Sequence, residues 1–179
     1  GAFKASRYLE KIVFSATLES ISGCCFEGCE FLKEVAIPKS VKTIGYKAFG
    51  NCSSLKEVAL SEGVEEIGDC AFFECKNINH ISFPSSLKKI GTRAFDNYEQ
   101  HPTFKVIALP ESILEIGEDA FRDCSGLTTI SGGNYLESID DRAFYKCPVT
   151  TYTIPSTVKS IGLRAIDFTD TQKHDGTKI

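Results

Sequence analysis

The stretch VKTIGYKAFGNCSSLKEVAL, Val41 to Leu60, holds an aliphatic pair, a glycine, a phenylalanine, a cysteine and then an alternating apolar run. Alone, it leaves three readings of Cys52: nucleophile, metal ligand or packing. The chain says nearly the same thing again at VEEIGDCAFFECKNINHISF (Val64 to Phe83) and at LKKIGTRAF (Leu87 to Phe95). Repetition at a fixed period is to be settled before secondary structure, because it decides the whole architecture. The anchors are Phe3, Phe26, Phe49, Phe72, Phe95, Phe121 and Phe144, with Ile166 in the eighth place; their successive spacings are 23, 23, 23, 23, 26, 23 and 22 residues. Five residues before each anchor from Phe26 onward stands an isoleucine, from Ile21 and Ile44 through to Ile161. After the anchor comes an L-x-x-V-x-I phrase, as in Leu32, Val35, Ile37 and Leu55, Val58, Leu60.

A coil this short cannot bury its apolar side alone, so it must stack on the next one, and the chain becomes a solenoid. The V-x-I phrase alternates with polar or small residues, which predicts a strand with one buried face. Strands at equal phase are parallel and about 4.8 Å apart, and are expected to form one continuous sheet along the solenoid. The residue after the recurring isoleucine (Ser22, Gly45, Gly68, Gly91, Gly117, Asp140, Gly162) suits a left-handed or turn corner. Pro38, Pro84, Pro110 and Pro155 mark the far end of the strand, where proline withholds a ladder donor.

Composition agrees with one globular unit. The chain has 179 residues, 42% hydrophobic and 25% charged, with a formal net charge of −4. Lys and Arg are scattered among Asp and Glu, so no basic footprint for nucleic acid stands out. No apolar run approaches the roughly 20 residues of a membrane-spanning helix, and GAFKASRYLEKIVF has no signal-peptide core.

The phrase IPKSVKTIGYKAFGNCSSLKEV resembles the repeat of the BspA-like leucine-rich-repeat family, and the match runs from Gly1 to about Ile166. The resemblance implies a leucine-rich-repeat solenoid of stacked coils of about 23 residues, with a parallel β-sheet on the concave face and short strands and turns on the other side. It implies residues 1–166 as about seven coils, uncapped at the N-terminus, followed by a polar tail over residues 167–179. It further implies a non-enzymatic protein-binding module, secreted or at a cell surface, whose partner is a host extracellular-matrix or plasma protein. The runner-up is an architectural spacer that displays another domain of a longer protein. The phase at which the chain opens and the loss of pattern at its end suggest a piece of such a protein.

Cys52 can now be placed. Cys29, Cys52, Cys75, Cys124 and Cys147 each follow a repeat phenylalanine by three residues, so their spacing is the coil period and they read as a packed ladder. Tyr98 and Ser6 take that phase in the other coils. Disulfides along the ladder are disfavoured, because stacked positions lie near 4.8 Å while a bridge wants Cβ atoms about 3.8 Å apart. Cys24 and Cys70 share a second phase with Lys47 between them, and both are expected to be free, with one or the other a candidate surface thiol. CCFEGC (Cys24, Cys25, Cys29) lacks the second half of a zinc site. None of His80, His101 and His174 shares a phase with a cysteine and an orienting carboxylate. The triplet at Asn51 to Ser53 matches a glycosylation acceptor, but its middle residue is in the ladder. No cofactor, metal or catalytic residue is called for.

Function is therefore sought on the outward side of the strands. One column reads Lys11, Glu34, Glu57, His80, Val106, Thr129, Thr151; the other reads Val13, Ala36, Ala59, Ser82, Ala108, Ser131, Thr153. The second is small after Val13, so a partner could approach the sheet closely. The one break in period, between Phe95 and Phe104, adds a candidate rim loop carrying Tyr98 and His101.

Overall fold

The computed structural model describes residues 1–98 and 105–166. The described residues form no helix. Twelve strands follow in chain order: β1 (Ser20–Ile21), β2 (Glu34–Ile37), β3 (Thr43–Ile44), β4 (Glu57–Leu60), β5 (Glu66–Ile67), β6 (His80–Ser82), β7 (Lys89–Ile90), β8 (Val106–Leu109), β9 (Glu115–Ile116), β10 (Thr129–Gly132), β11 (Ser138–Ile139) and β12 (Ser160–Ile161). The odd strands and β12 are two residues long and make one seven-stranded parallel sheet, in the order β1-β3-β5-β7-β9-β11-β12. The remaining even strands make a broader parallel surface on a second side of the coil. Each residue pairs with its repeat equivalent, so Val35 sits beside Val58 and Ile44 beside Ile67.

The broad surface is not the single continuous sheet that the period predicts. It is divided into a three-stranded sheet β2-β4-β6 and a two-stranded sheet β8-β10. The break falls at the 26-residue coil, where three extra residues enter between β6 and β8 and the strands lose their pairing. The narrow sheet has no insertion of its own there, and β7 pairs with β9 as usual.

Inside the coil the anchors form a column of nearly parallel rings. Phe26, Phe49 and Phe72 stack with centroids 5.3 and 5.4 Å apart, and the column continues through Phe95, Phe121 and Phe144 at 5.2 Å per step. Phe26 to Phe144 are buried, as the repeat requires; Phe3, in the first coil, stacks on Phe26 yet remains 47% exposed. The aliphatic columns Val41, Val64, Leu87, Ile113, Leu136 and Ile44, Ile67, Ile90, Ile116, Ile139 are fully buried beside it.

The recurring glycine is a corner for a different reason than the one the sequence suggests. Neither Gly45 nor Gly68 has a positive φ. A Cβ on Gly45 would lie 2.8 Å from the Ile21 carbonyl oxygen, and one on Gly68 would lie 2.7 Å from that of Ile44. Glycine is there because consecutive backbones touch. The left-handed conformation falls two and six residues later, on residues with side chains: Lys47 (φ 50°), Asn51 (φ 61°), Cys70 (φ 56°) and Glu74 (φ 55°). These φ values let the turn segment alternate its amides. Lys47, Phe49 and Asn51 donate to Asp69, Ala71 and Phe73 of the next coil, while Ala48, Gly50 and Cys52 donate back three residues within their own. Backbone polar groups are thereby satisfied without regular secondary structure. Each strand-ending proline keeps a role, its carbonyl accepting a turn bond, as from Val41 N to Pro38 O at 3.0 Å.

Candidate functional site

The broad surface shows how strand alternation sorts the side chains. In β2, β4, β6 and β8 the residues Val35, Val58, Ile81 and Ile107 point into the core, and their neighbours point out. Register places Glu34, Glu57 and His80 in one outward row, and Ala36, Ala59 and Ser82 in the row beside it. Across the break, Val106 aligns with Thr129 and Ala108 with Ser131, and Thr151 extends the first row through a bridge to Thr129. Thr153 is also exposed, two residues further along the same coil. Val106 is an apolar side chain 56% open to solvent in the middle of this surface.

The two halves differ in chemistry. The first is charged: Glu34 stands one coil from Glu57, and Lys11 approaches Glu34 at 3.5 Å. Adjacent like charges at this spacing repel. The second half carries hydroxyls and no ionised group in these rows. Along the rim of the first half, Glu10 pairs with Lys33 at 2.9 Å.

The cysteine ladder lies on the inside, away from this surface. Cys29, Cys52, Cys75, Cys124 and Cys147 are buried and free. Their phase does more than pack, which sequence reasoning missed. Each Sγ donates to the carbonyl of the phenylalanine one coil back: Cys52 to Phe26 at 3.2 Å, Cys75 to Phe49 at 3.0 Å, Cys147 to Phe121 at 3.0 Å. The constant offset of three residues from the anchor was the available signal. Burial pushes the Cys75 and Cys147 thiols well up, and raises Cys29 to about 11. Such thiols are poor nucleophiles. Cys24 and Cys70 are both free, as expected; Cys70 is buried, so of that pair only Cys24, like Cys25, is partly exposed.

A third surface, on the turn side, is polar in a way the repeat consensus does not announce. Asp96, Asp119 and Asp123 are buried and meet arginines: Arg93 with Asp96 at 2.7 Å, Arg142 with Asp119 at 2.9 Å, Arg122 with Asp123 at 3.1 Å. Burial raises the Asp96 carboxyl, and Arg93 opposes that rise. Arg93 also lies over the Phe73 ring at 4.8 Å, and Arg164 over Tyr145 at 4.5 Å. Tyr98, the candidate rim residue, is 63% exposed and lines an open cleft of about 410 Å³ with Phe73, Glu74 and Arg93. Its phase belongs to the cysteine ladder, but the ring leaves the core at the start of the insertion. His101 and the tail over residues 167–179 lie outside the described residues. Among the described residues no three His, Cys, Asp or Glu side chains group as metal ligands.

The sequence profile of the BspA type leucine rich repeat region matches residues 1–106 and 96–173, in six copies. No curated protein matches the chain. Solved structures do. A leucine-rich-repeat protein of T. pallidum is 33% identical over 81% of this chain and 67% of its own, with a TM-score of 0.74. One from Bacteroides ovatus is 30% identical, with a TM-score of 0.64, over 81% of this chain and 43% of its own. A leucine rich cell surface protein from Faecalibacterium prausnitzii is 26% identical, with a TM-score of 0.71, over 89% of this chain and 43% of its own. The chain thus spans less than half the length of the last two. With its period, its parallel coils and its ring column, the chain belongs to the BspA-type leucine-rich-repeat family.

Proposed function

We propose that this chain is a protein-binding module of a cell-surface or secreted protein, and that the partner docks on the broad strand surface. The observation that carries this reading is the row Ala36, Ala59, Ser82 and, past the break, Ala108 and Ser131. These outward side chains are so short that a partner's backbone can reach the sheet. The Glu34 and Glu57 pair beside it favours a partner with basic groups at that end. The family's leucine-rich-repeat character and the surface location named for the Faecalibacterium prausnitzii relative support the setting. An extracellular-matrix or plasma protein is the partner class proposed, with no enzymatic step.

The test is binding to a panel of immobilised extracellular-matrix and plasma proteins. Ala59→Arg combined with Ala108→Arg should leave circular dichroism unchanged, because both side chains point to solvent, and should abolish binding by steric clash and stranded charge. Arginine substitutions at Thr43 and Glu66, on the narrow sheet, are the controls and should leave binding unchanged. Unchanged binding by the double variant, with loss on substitution of Tyr98 and His101, would move the site to the rim. Absence of any partner would favour the spacer reading.

A further inference from the structure

The division of the broad surface between β6 and β8 is confined to one side of the coil. Across the same junction the narrow sheet continues from β7 to β9, and the rings of Phe95 and Phe121 stack at 5.2 Å. In a parallel ladder alternate residues bond to alternate neighbours. At the intact steps on either side, Ser61 N donates to Ile37 O at 3.2 Å and Gly133 N donates to Leu109 O at 3.1 Å. The same alternation turns the amides of Ile81 and Phe83 on one lip, and of Val106 and Ala108 on the other, into the seam. Among the described residues no backbone hydrogen bond joins the two strands. Below the seam Phe83 lies edge-on to two rings of the column, Phe95 at 5.9 Å and Phe121 at 6.4 Å. Its counterpart Phe14 is edge-on to Phe26 at 5.7 Å.

The seam is also the chemical boundary. Glu34, Glu57 and His80 lie on one side of it, and Val106, Thr129 and Thr151 on the other. Strands held by a ladder move together, whereas coils joined along the narrow sheet, the ring column and the turn segment, where Arg93, Phe95 and Asn97 donate to Glu118, Ala120 and Arg122, but unpaired on the broad side, can tilt so as to open or close that side. We infer that the broad surface is two panels, β2-β4-β6 and β8-β10, hinged at this seam, so that the angle between an acidic panel and a hydroxyl panel adjusts. The hinge is a property of the free molecule and stands apart from the protein-binding reading.

Two measurements on the free protein test it. In amide hydrogen exchange of the unmodified chain, Ile81, Phe83, Val106 and Ala108 should exchange faster than Val58, Leu60, Thr129 and Ser131 by on the order of tenfold or more. In the second, nitroxides are attached through ketone-bearing residues, which leaves the cysteines untouched, and pulsed electron resonance reads two matched pairs. Positions 36 and 131 span the seam on the broad surface, while positions 43 and 138 span the same coils on the narrow sheet. Each pair is four coil steps apart, about 19 Å. The pair on the broad surface should show the wider distance distribution. Equal protection at the seam amides would mean that the ladder is closed in solution, and would overturn the hinge. Fast exchange with equal distribution widths would mean a fixed gap, and would overturn it as well.

Discussion

Cys52 illustrates how much one position can carry in a repeat. Its side chain fills the space beside the ring column, and its thiol occupies the Phe26 carbonyl of the coil before. The packing role was legible from the spacing, but the hydrogen bond was not, because it depends on where a carbonyl of the previous coil points. The same gap explains the glycine: a period marks the position as special, while only the contact with Ile44 O shows that Gly68 answers to crowding and not to φ. Two outcomes follow at this scale. Alkylation of the native protein should modify Cys24 and Cys25, leaving Cys70 and the ladder thiols untouched until the chain is denatured, when all eight react. Peptide mass mapping reads this, and bridged pairs in the map would refute the free-thiol ladder. The second outcome concerns alkali. Unfolded thiols ionise near pH 8.5, while burial holds Cys29, Cys75 and Cys147 higher in the folded chain. Above that pH the folded chain keeps protons that the unfolded chain has lost. Their contribution is therefore complete below about pH 8.5 and declines as pH rises, for Cys29 until its folded value of about 11 is reached, by up to about 1.4 kcal/mol per pH unit for each thiol. Urea unfolding at stepped alkaline pH measures the slope, and Cys75→Ala with Cys147→Ala should flatten it.

At the scale of elements, strands of two to four residues cannot persist alone, so each exists because its neighbour does. The ring column is what fixes the coils in phase. Phe72 stacks on Phe49 at 5.4 Å and on Phe95 at 5.2 Å and is fully enclosed. Phe72→Ala should cost about 3–5 kcal/mol in denaturant unfolding, the range for truncating a large core ring. Phe3→Ala, which removes a ring with one open face, should cost clearly less. Similar losses at the two positions would refute the end effect, and near-native stability of the first would refute the assigned phase. The column, the strand faces and the outward rows were all readable from period and alternation. The division of the broad sheet was visible only as a 26-residue spacing. Whether three added residues bulge outward harmlessly or unpair a strand is decided by backbone geometry that no residue type announces.

At the scale of the whole molecule, the long-range backbone bonds among the described residues each span one coil. Ion pairs between coils follow the same rule, as in the run Lys42, Glu65, Lys88, linked at 3.5 and 2.7 Å. Such a chain behaves as a line of neighbours, and damage stays local. Phe144→Ala should raise amide exchange across β10 to β12 while β2 and β4 remain as protected as before; exchange mass spectrometry decides. A uniform rise along the chain would mean that the array melts as a single unit. Fold and family were legible at this scale because repetition multiplies a weak local signal. The partner was not, because outward residues are free of the constraint that makes the inward ones recur. The in-register narrow sheet has one more consequence, for heredity. Since Ile44 meets Ile67 in the same way that Ile67 meets Ile90, a coil deleted or duplicated in the gene leaves two surfaces that still match. Unequal crossing-over can thus lengthen or shorten the protein in steps of about 4.8 Å, trading reach without inventing a new contact.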